Sequence, residues 1–326
     1  MKKIALTMGM AFLVAVALVS PIQAADYPTK QIQIIVGWSA GGSEDMRARA
    51  LAPKLTEVLG QPVVVVNKPG ASGTLGLNFT AKSKPDGYTI SSGSTSAILI
   101  TPQLQKLEFD AIQDLIYIAG TASQPYAISV RSDAPWNSLQ ELIDYVKKNP
   151  GKVKYGSPGS GHYCNIYMEI LAKEKGLEWV HVPFKGDQPG ITALLGGHIP
   201  VMASSSSIIP HAKAGKAKIL AMVAEKRVAT FPQVPSLKEF GFKFDLRANE
   251  VLGFCGPKGM PPEVIKKLEN AFKQAVETAE YKNVLAQLDN EGGFRDSQSF
   301  TSLIRELYPI VGQMIKEAGI SPESIK

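Results

Sequence analysis

The sequence predicts an α/β protein folded as two lobes. Three observations carry that reading. Apolar, strand-like runs alternate with helical patterns from Ile32 onward. The length, 326 residues, suits about two domains. A second strand–helix block opens near Gln124, and a strand–turn–helix pattern returns at Val251. Hydrophobic residues make up 44% and charged residues 20%, which places the body among ordinary globular chains.

The elements follow in order. Residues 32–38 read as a strand and 43–59 as a helix. Met46, Leu51, Leu55 and Leu59 form one apolar stripe on that helix. Ser43 is its expected N-cap, and Glu44 and Asp45 bring negative charge to the first turn, where the helix dipole favours it. Gly60 is the expected C-terminal cap, and Pro53 predicts a kink. Further strands are expected at 62–66 and 88–91, in sheets that are largely parallel. Ser138 and Glu141 have the spacing of a capping box, which opens a helix to Lys148. A strand at 153–156, a helix through Lys173, and strands at 179–183, 201–203 and 218–223 complete the middle block. Residues 232–249 read as a connector. Residues 251–255 form a strand again, and Pro262 starts a helix with Val264, Ile265, Leu268, Phe272 and Val276 on one face.

The first residues stand apart. Met1-Lys2-Lys3 is a positive start, residues 4–19 are uncharged and apolar, and Ala24 ends a small-residue stretch before Ala25-Asp26. This is the pattern of a secretory signal peptide, cleaved after Ala24. The apolar run falls short of the roughly 20 residues that cross a bilayer. No cysteine lies near the cleavage point to carry a lipid. Loss of residues 1–24 removes Lys2 and Lys3 and no acid, so the formal charge falls from +6 to +4. With no block of Lys and Arg, nucleic acid is not an expected partner. The mild positive charge suits a small anion. Cys164 and Cys255 are the only cysteines, and an oxidising compartment would permit a bridge between them. No ligand spacing for a metal is present.

Gly37-Trp38-Ser39-Ala40-Gly41 matches the G-x-S-x-G elbow of serine hydrolases. His162, His181, His198 and His211 all follow in the chain order a triad needs. The oxyanion hole of such enzymes draws on an earlier strand–helix loop, and Ser39 follows the first strand of the mature chain. A secreted hydrolase using Ser39 is therefore the alternative reading. Neither a dinucleotide fingerprint nor a P-loop occurs here, so no cofactor is expected. The turn instead predicts an anion cradle. Gly41 and Gly42 let a ligand approach backbone N–H groups at the positive end of a helix, and Ser39 and Ser43 add hydroxyls. Residues 155–163, Tyr-Gly-Ser-Pro-Gly-Ser-Gly-His-Tyr, make a second such turn. A ligand between the two would lie beyond the carboxyl ends of the strands.

These residues, with others, resemble the periplasmic solute receptors of tripartite tricarboxylate transporters, the Bug-type receptors. Tyr27-Pro28 opens the resemblance, which runs over nearly the whole mature chain. Ala40-Gly41-Gly42-Ser43-Glu44-Asp45, residues 60–73 (Gly-Gln-Pro-Val-Val-Val-Val-Asn-Lys-Pro-Gly-Ala-Ser-Gly) and Pro85-Asp86-Gly87-Tyr88-Thr89 follow. Val182-Pro183-Phe184-Lys185-Gly186, Leu195-Gly196-Gly197, Ala214-Gly215-Lys216 and Val234-Pro235-Ser236-Leu237 continue it in order.

The resemblance implies a two-lobed periplasmic binding protein, a type II-like flytrap with a ligand cleft between the lobes and no enzymatic activity. One lobe would hold residues 27–125 and 250–326, the other residues 126–249. The ligand would be a small organic acid, with two or three carboxylates or one carboxylate on an aromatic ring. A monomeric receptor would pass it to membrane permease subunits of the transporter. Ser39, Gly41, Gly42 and Ser43 would hold one carboxylate from the first lobe, and Ser157, Gly159, Ser160 and Gly161 from the second, partly through ordered water. His162 stands where a hydroxyl residue is usual, and would contact the ligand. Trp38 would cover it, Lys185 would face the cleft, and Ser204 and Ser205 would lend hydroxyls to its distal end. Arg247 is a candidate partner for a second carboxylate. Pro200 replaces a common aspartate, which favours a purely anionic ligand.

Overall fold

The computed structural model describes residues 27–243, 246–317 and 319–321. The expected signal peptide lies outside the described residues. In chain order the elements are β1 (Ile32–Val36), α1 (Ser43–Leu59), β2 (Val63–Asn67), α2 (Thr74–Ala81), β3 (Thr89–Ser94), α3 (Thr101–Leu104) and β4 (Leu115–Ser123). Then come β5 (Tyr126–Arg131), α4 (Leu139–Lys148), β6 (Lys154–Ser157), α5 (Tyr163–Lys175), β7 (Val180–Pro183), α6 (Asp187–Leu195), β8 (Val201–Ser204), α7 (Ile209–Lys213) and β9 (Ala217–Val223). The chain ends with β10 (Leu252–Pro257), α8 (Pro262–Ala275), α9 (Ala279–Leu288), β11 (Glu291–Arg295) and α10 (Ser297–Glu317).

Two sheets result, one with strand order β11-β4-β10-β3-β1-β2 and one with β7-β6-β8-β5-β9. β1 pairs in parallel with β2 and β3, as β6 does with β7 and β8. β10 runs antiparallel to β3 and β4, β11 to β4, and β5 to β8 and β9. The sheets are thus mixed, not largely parallel. The antiparallel pairs involve the strands at the crossings between sheets, where no helix intervenes to reverse the chain. β4 leads into β5 through Gln124-Pro125 alone, and β10 returns to sit between β3 and β4.

The first helix departs from expectation at its start. Its N-cap is Gly42, and Ser43 is already helical. The Ser43 hydroxyl serves other partners across the cleft, described below. Gly60 closes the helix in the left-handed region, its N–H bonded to the Thr56 carbonyl at 2.9 Å. The helix runs on through Pro53, which lies on its exposed side. Ser138 Oγ accepts the Glu141 N–H at 3.2 Å, but the Glu141 carboxylate accepts from Asn137 N–H, one residue before the cap.

Each sheet packs its own core. Leu51 and Leu55 of α1 meet Val264, Leu268 and Phe272 of α8 over the first sheet, where Phe272 stacks on Phe254. Ile191, Leu194, Met202 and Met222 form a core on the second. A third cluster is shared, joining Ile98 and Ile100 to Tyr126, Tyr163 and Tyr167 and to Phe300 and Ile304 of α10. Tyr126 and Tyr163 meet edge to face at 4.7 Å. Cys164 and Cys255 are buried free thiols, not a bridge.

Candidate functional site

The loops after β1, β6, β7 and β8 converge with the ends of β3 and β4. They enclose a cavity of about 20 Å³, room for about one water. The loop after β1 contributes Trp38, Ser39 and Gly42, and the start of α1 contributes Ser43 and Glu44. Ser94 ends β3, and Gln124 and Tyr126 flank the crossing. His162, Asp187 and Ser205 approach from the second sheet. A separate crevice of about 310 Å³ is lined by Ser72, Gly159, Ser160 and Lys185 among others. Trp38 lines both spaces.

The two glycine turns meet their own hydrogen-bonding needs first. Gly41 N–H donates to the Asp45 carboxylate at 2.9 Å, and Gly161 N–H to Asn165 Oδ1 at 3.0 Å. Ser43 N–H donates to Ser207 Oγ at 2.9 Å, across to the second sheet's loops. Ser43 Oγ lies 3.0 Å from Ser205 Oγ and donates to Gln124 Oε1 at 3.2 Å. Ser72 Oγ donates to the Ser160 carbonyl at 2.6 Å, and Gln188 Nε2 to the Gly41 carbonyl at 2.7 Å. The two sides are therefore in direct contact around the cavity. The expectation of free N–H groups at the turns is corrected for Gly41, Ser43 and Gly161: a side chain already accepts from each.

What stays unsatisfied is hydroxyl. Ser39 Oγ and Ser94 Oγ are buried and have no hydrogen-bond partner, although buried polar groups nearly always have one. Both residues line the cavity. A further buried hydroxyl without a partner is that of Ser204, inside β8, away from the cavity lining. Ser157 is also turned inward. Its Oγ lies 2.7 Å from His181 Nε2 and 3.0 Å from the Gly159 carbonyl.

His162 caps α5, its Nδ1 accepting Cys164 N–H at 3.0 Å. The ring proton then belongs to Nε2. Burial, with His181 adding to it, pushes its pKa down to about 3, so the imidazole is neutral near pH 7. Trp38 packs edge to face on it at 4.9 Å. Asp45 resists burial: hydrogen bonds from Arg49, Gly41 N–H and Asn67 hold its carboxyl below the usual range. Asp187 goes the other way, pushed up by burial despite donors from Ser205 and Ser207.

Of the sequence-predicted residues, Trp38, Ser39, Gly42, Ser43, His162 and Ser205 come together at the cavity. Gly159, Ser160 and Lys185 lie in the adjoining crevice. Gly41 and Gly161 shape the two turns, with φ of 77° and 69°. Arg247 is elsewhere, paired with Glu306 at 2.8 Å. Ser94, Gln124 and Asp187, and Glu44 as a lining group, were not read as site residues. Ser94 ends β3 and Gln124 follows β4, at the carboxyl ends of strands, where ligands of open α/β sheets sit.

No histidine reaches Ser39 Oγ, and His162 Nδ1 is committed to its helix cap, so the elbow-like turn has no base. The model of the tripartite tricarboxylate transporter family receptor matches residues 47–320. A UPF0065 protein in the gbd 5′ region of Cupriavidus necator is 36% identical, over 94% of this chain and 92% of that one. The solved periplasmic binding protein BugD is 30% identical and superposes with a TM-score of 0.83, covering 90% of this chain and 99% of that one. Rpa4515 of R. palustris, solved with adipate, is 26% identical with a TM-score of 0.82, over 90% and 99% of the two chains. The chain is therefore a periplasmic-type solute-binding receptor, not an enzyme, and it belongs to the tripartite tricarboxylate transporter receptor family.

Proposed function

We propose that this receptor captures a small organic carboxylate between its two glycine turns and delivers it to the permease subunits of a tripartite tricarboxylate transporter. One observation carries the proposal. Ser39 and Ser94 present buried, unpartnered hydroxyls to a cavity that lies where two helix N-termini meet. Hydroxyls and dipole ends of this kind favour an oxyanion. The adipate of a similar receptor supports the same ligand class.

In this reading, Ser39, Gly42, Ser43, His162 and Ser205 surround the captured group, and Ser160 and Lys185 receive the rest of the solute. Ser157, Gly159 and Gly161 hold the second turn in shape. The lobes comprise residues 27–125 with 250–326, and residues 126–249. The mature chain starts after Ala24 and works as a monomer in the periplasm. Since the cavity is small, the lobes part to admit the solute and close over it, a hinge motion.

A melting-temperature screen of organic acids tests the ligand class. A carboxylate at 100 times its Kd stabilises the fold by about 2.7 kcal/mol. Ser39→Ala is expected to weaken that ligand about tenfold, through loss of one hydrogen bond to a charged group. A screen in which no carboxylate raises the midpoint overturns the proposal.

A further inference from the structure

The loop after β2 reaches across to the second glycine turn, and it is built to keep its shape there. Residues 70–73 are closed by Gly73 N–H to the Gly70 carbonyl at 3.0 Å and by Thr74 Oγ1 to the Ala71 carbonyl at 2.7 Å. Ala71 and Ser72, neither of them glycine, stand in the left-handed region with φ of 48° and 50°. Such residues persist only where their surroundings hold them, and they gather at ligand clamps and switches. Ser72 is 5% exposed, and its hydroxyl donates to the Ser160 carbonyl at 2.6 Å. Gly159 gives it room. A Cβ added at Gly159 would lie 2.8 Å from Ser72 Oγ. Gly159 itself is outside the left-handed region, so the neighbour and not the backbone excludes a side chain there.

The same turn backs the cavity. A Cβ added at Gly73 would lie 2.7 Å from Trp38 Cζ2, so the turn sits tightly on the indole ring. Trp38 lines both the cavity and the crevice, and Ser72 and Gly159 line the crevice. A solute that orders Trp38 therefore orders the turn behind it. We infer that residues 70–73 are a pre-formed latch: with solute in the cavity, Trp38 sets the turn, Ser72 engages the Ser160 carbonyl over Gly159, and this contact governs how long the solute stays. A turn already rigid loses little freedom on engaging, so its one hydrogen bond is largely kept as gain. The inference rests on capture of a solute between the glycine turns, though not on that solute being a carboxylate.

Release rates test it, with succinate, glutarate and adipate as probes and tryptophan fluorescence as the signal. Ser72→Ala should speed release about fivefold, the worth of one hydrogen bond, and leave association nearly unchanged. Gly159→Ala should speed it about tenfold or more, because the new methyl meets Ser72 Oγ. Combining the two should bring release back to the Ser72→Ala rate, since the nearest atoms left are the Phe184 carbonyl oxygen at 3.7 Å and Ser72 Cα at 3.8 Å. A glycine needed only for folding would not be rescued in this way. The latch is also read without solute. Ser72→Cys with Gly159→Cys places two thiols within bridging range, and closing the bridge should lower the radius of gyration in small-angle scattering relative to the reduced form. Release unchanged in Ser72→Ala, a double variant no slower than Gly159→Ala, or a radius indifferent to the bridge overturns the inference and leaves the carboxylate reading standing. If no probe binds the wild-type receptor while the bridge still compacts it, the carboxylate reading falls and the latch stands.

Discussion

The two glycine turns have one geometry and two chemistries. In each, a glycine adopts the left-handed region, Gly41 at φ 77° and Gly161 at 69°. Four residues later a side chain folds back to accept that glycine's N–H, Asp45 in one turn and Asn165 in the other. The first acceptor is charged, and it also gathers Asn67 and Arg49. The second is a neutral amide tied to Tyr155, next to a neutral histidine cap. The contrast teaches that a glycine-rich helix start is not by itself an open anion site. Its donors can be spent internally, and then the hydroxyls around it and the charge of its acceptor decide what it welcomes.

Acid should separate the turns most strongly. His162 is buried and neutral, with a pKa near 3 against about 6.5 unfolded, so the unfolded chain binds more protons between those values. Its contribution is complete above about pH 6.5 and is lost as pH falls toward 3. His162→Asn should flatten the stability curve there by up to about 1.4 kcal/mol per pH unit. His181, lowered to about 4 by burial, adds a parallel slope, so the curve is compared with that of His181→Asn. Asp45, whose pKa is lowered, acts only further into acid. Its stabilisation is present above the unfolded carboxylate range and is lost as pH falls through its folded value. Urea unfolding across pH 3–7 reads both. An unchanged slope in His162→Asn breaks the comparison.

Truncating the acceptors comes next. Asp45→Ala strands the Gly41 N–H and leaves Asn67 Nδ2 with the Trp38 carbonyl alone, and should cost about 3 kcal/mol. Asn165→Ala strands one backbone N–H and loosens Tyr155, for about 2 kcal/mol. Equal losses by denaturant titration would mean that the charge of Asp45 adds nothing. The smallest effect belongs to the glycines. Gly41→Ala and Gly161→Ala should each cost about 1–2 kcal/mol, the penalty of a side chain at positive φ. Gly41→Asn should cost less, because asparagine tolerates that region.

Much of the first lobe's entry was legible because its signals are local. The stripe of Leu51, Leu55 and Leu59, and Gly60 after it, mark α1 by period and punctuation. The cap was misread at Ser43, since a serine that starts a helix is recognised by sequence and its hydroxyl was drawn away by Gln124 and Ser205, more than 80 residues distant. β11 was missed because Glu291-Gly292-Gly293 has no apolar alternation and is held by backbone pairing to β4. α10 did carry a readable period in Phe300, Ile304, Leu307, Val311 and Ile315. Ser94 and Asp187 could not be found by composition. Nothing in a lone serine or aspartate shows that folding will bury it opposite Glu44.

Gln124 gives the crossing between the sheets a particular property. Its one side-chain oxygen receives Arg47 at 2.8 Å, Ser43 at 3.2 Å and Ser206 at 3.3 Å, while its nitrogen donates to Tyr126. Three donors crowd an atom with two lone pairs. One hydroxyl can therefore leave for an incoming guest without orphaning the oxygen, and the exchange is a reassignment rather than a rupture. This crossing works like a switchboard with one more caller than lines, kept ready to transfer a connection.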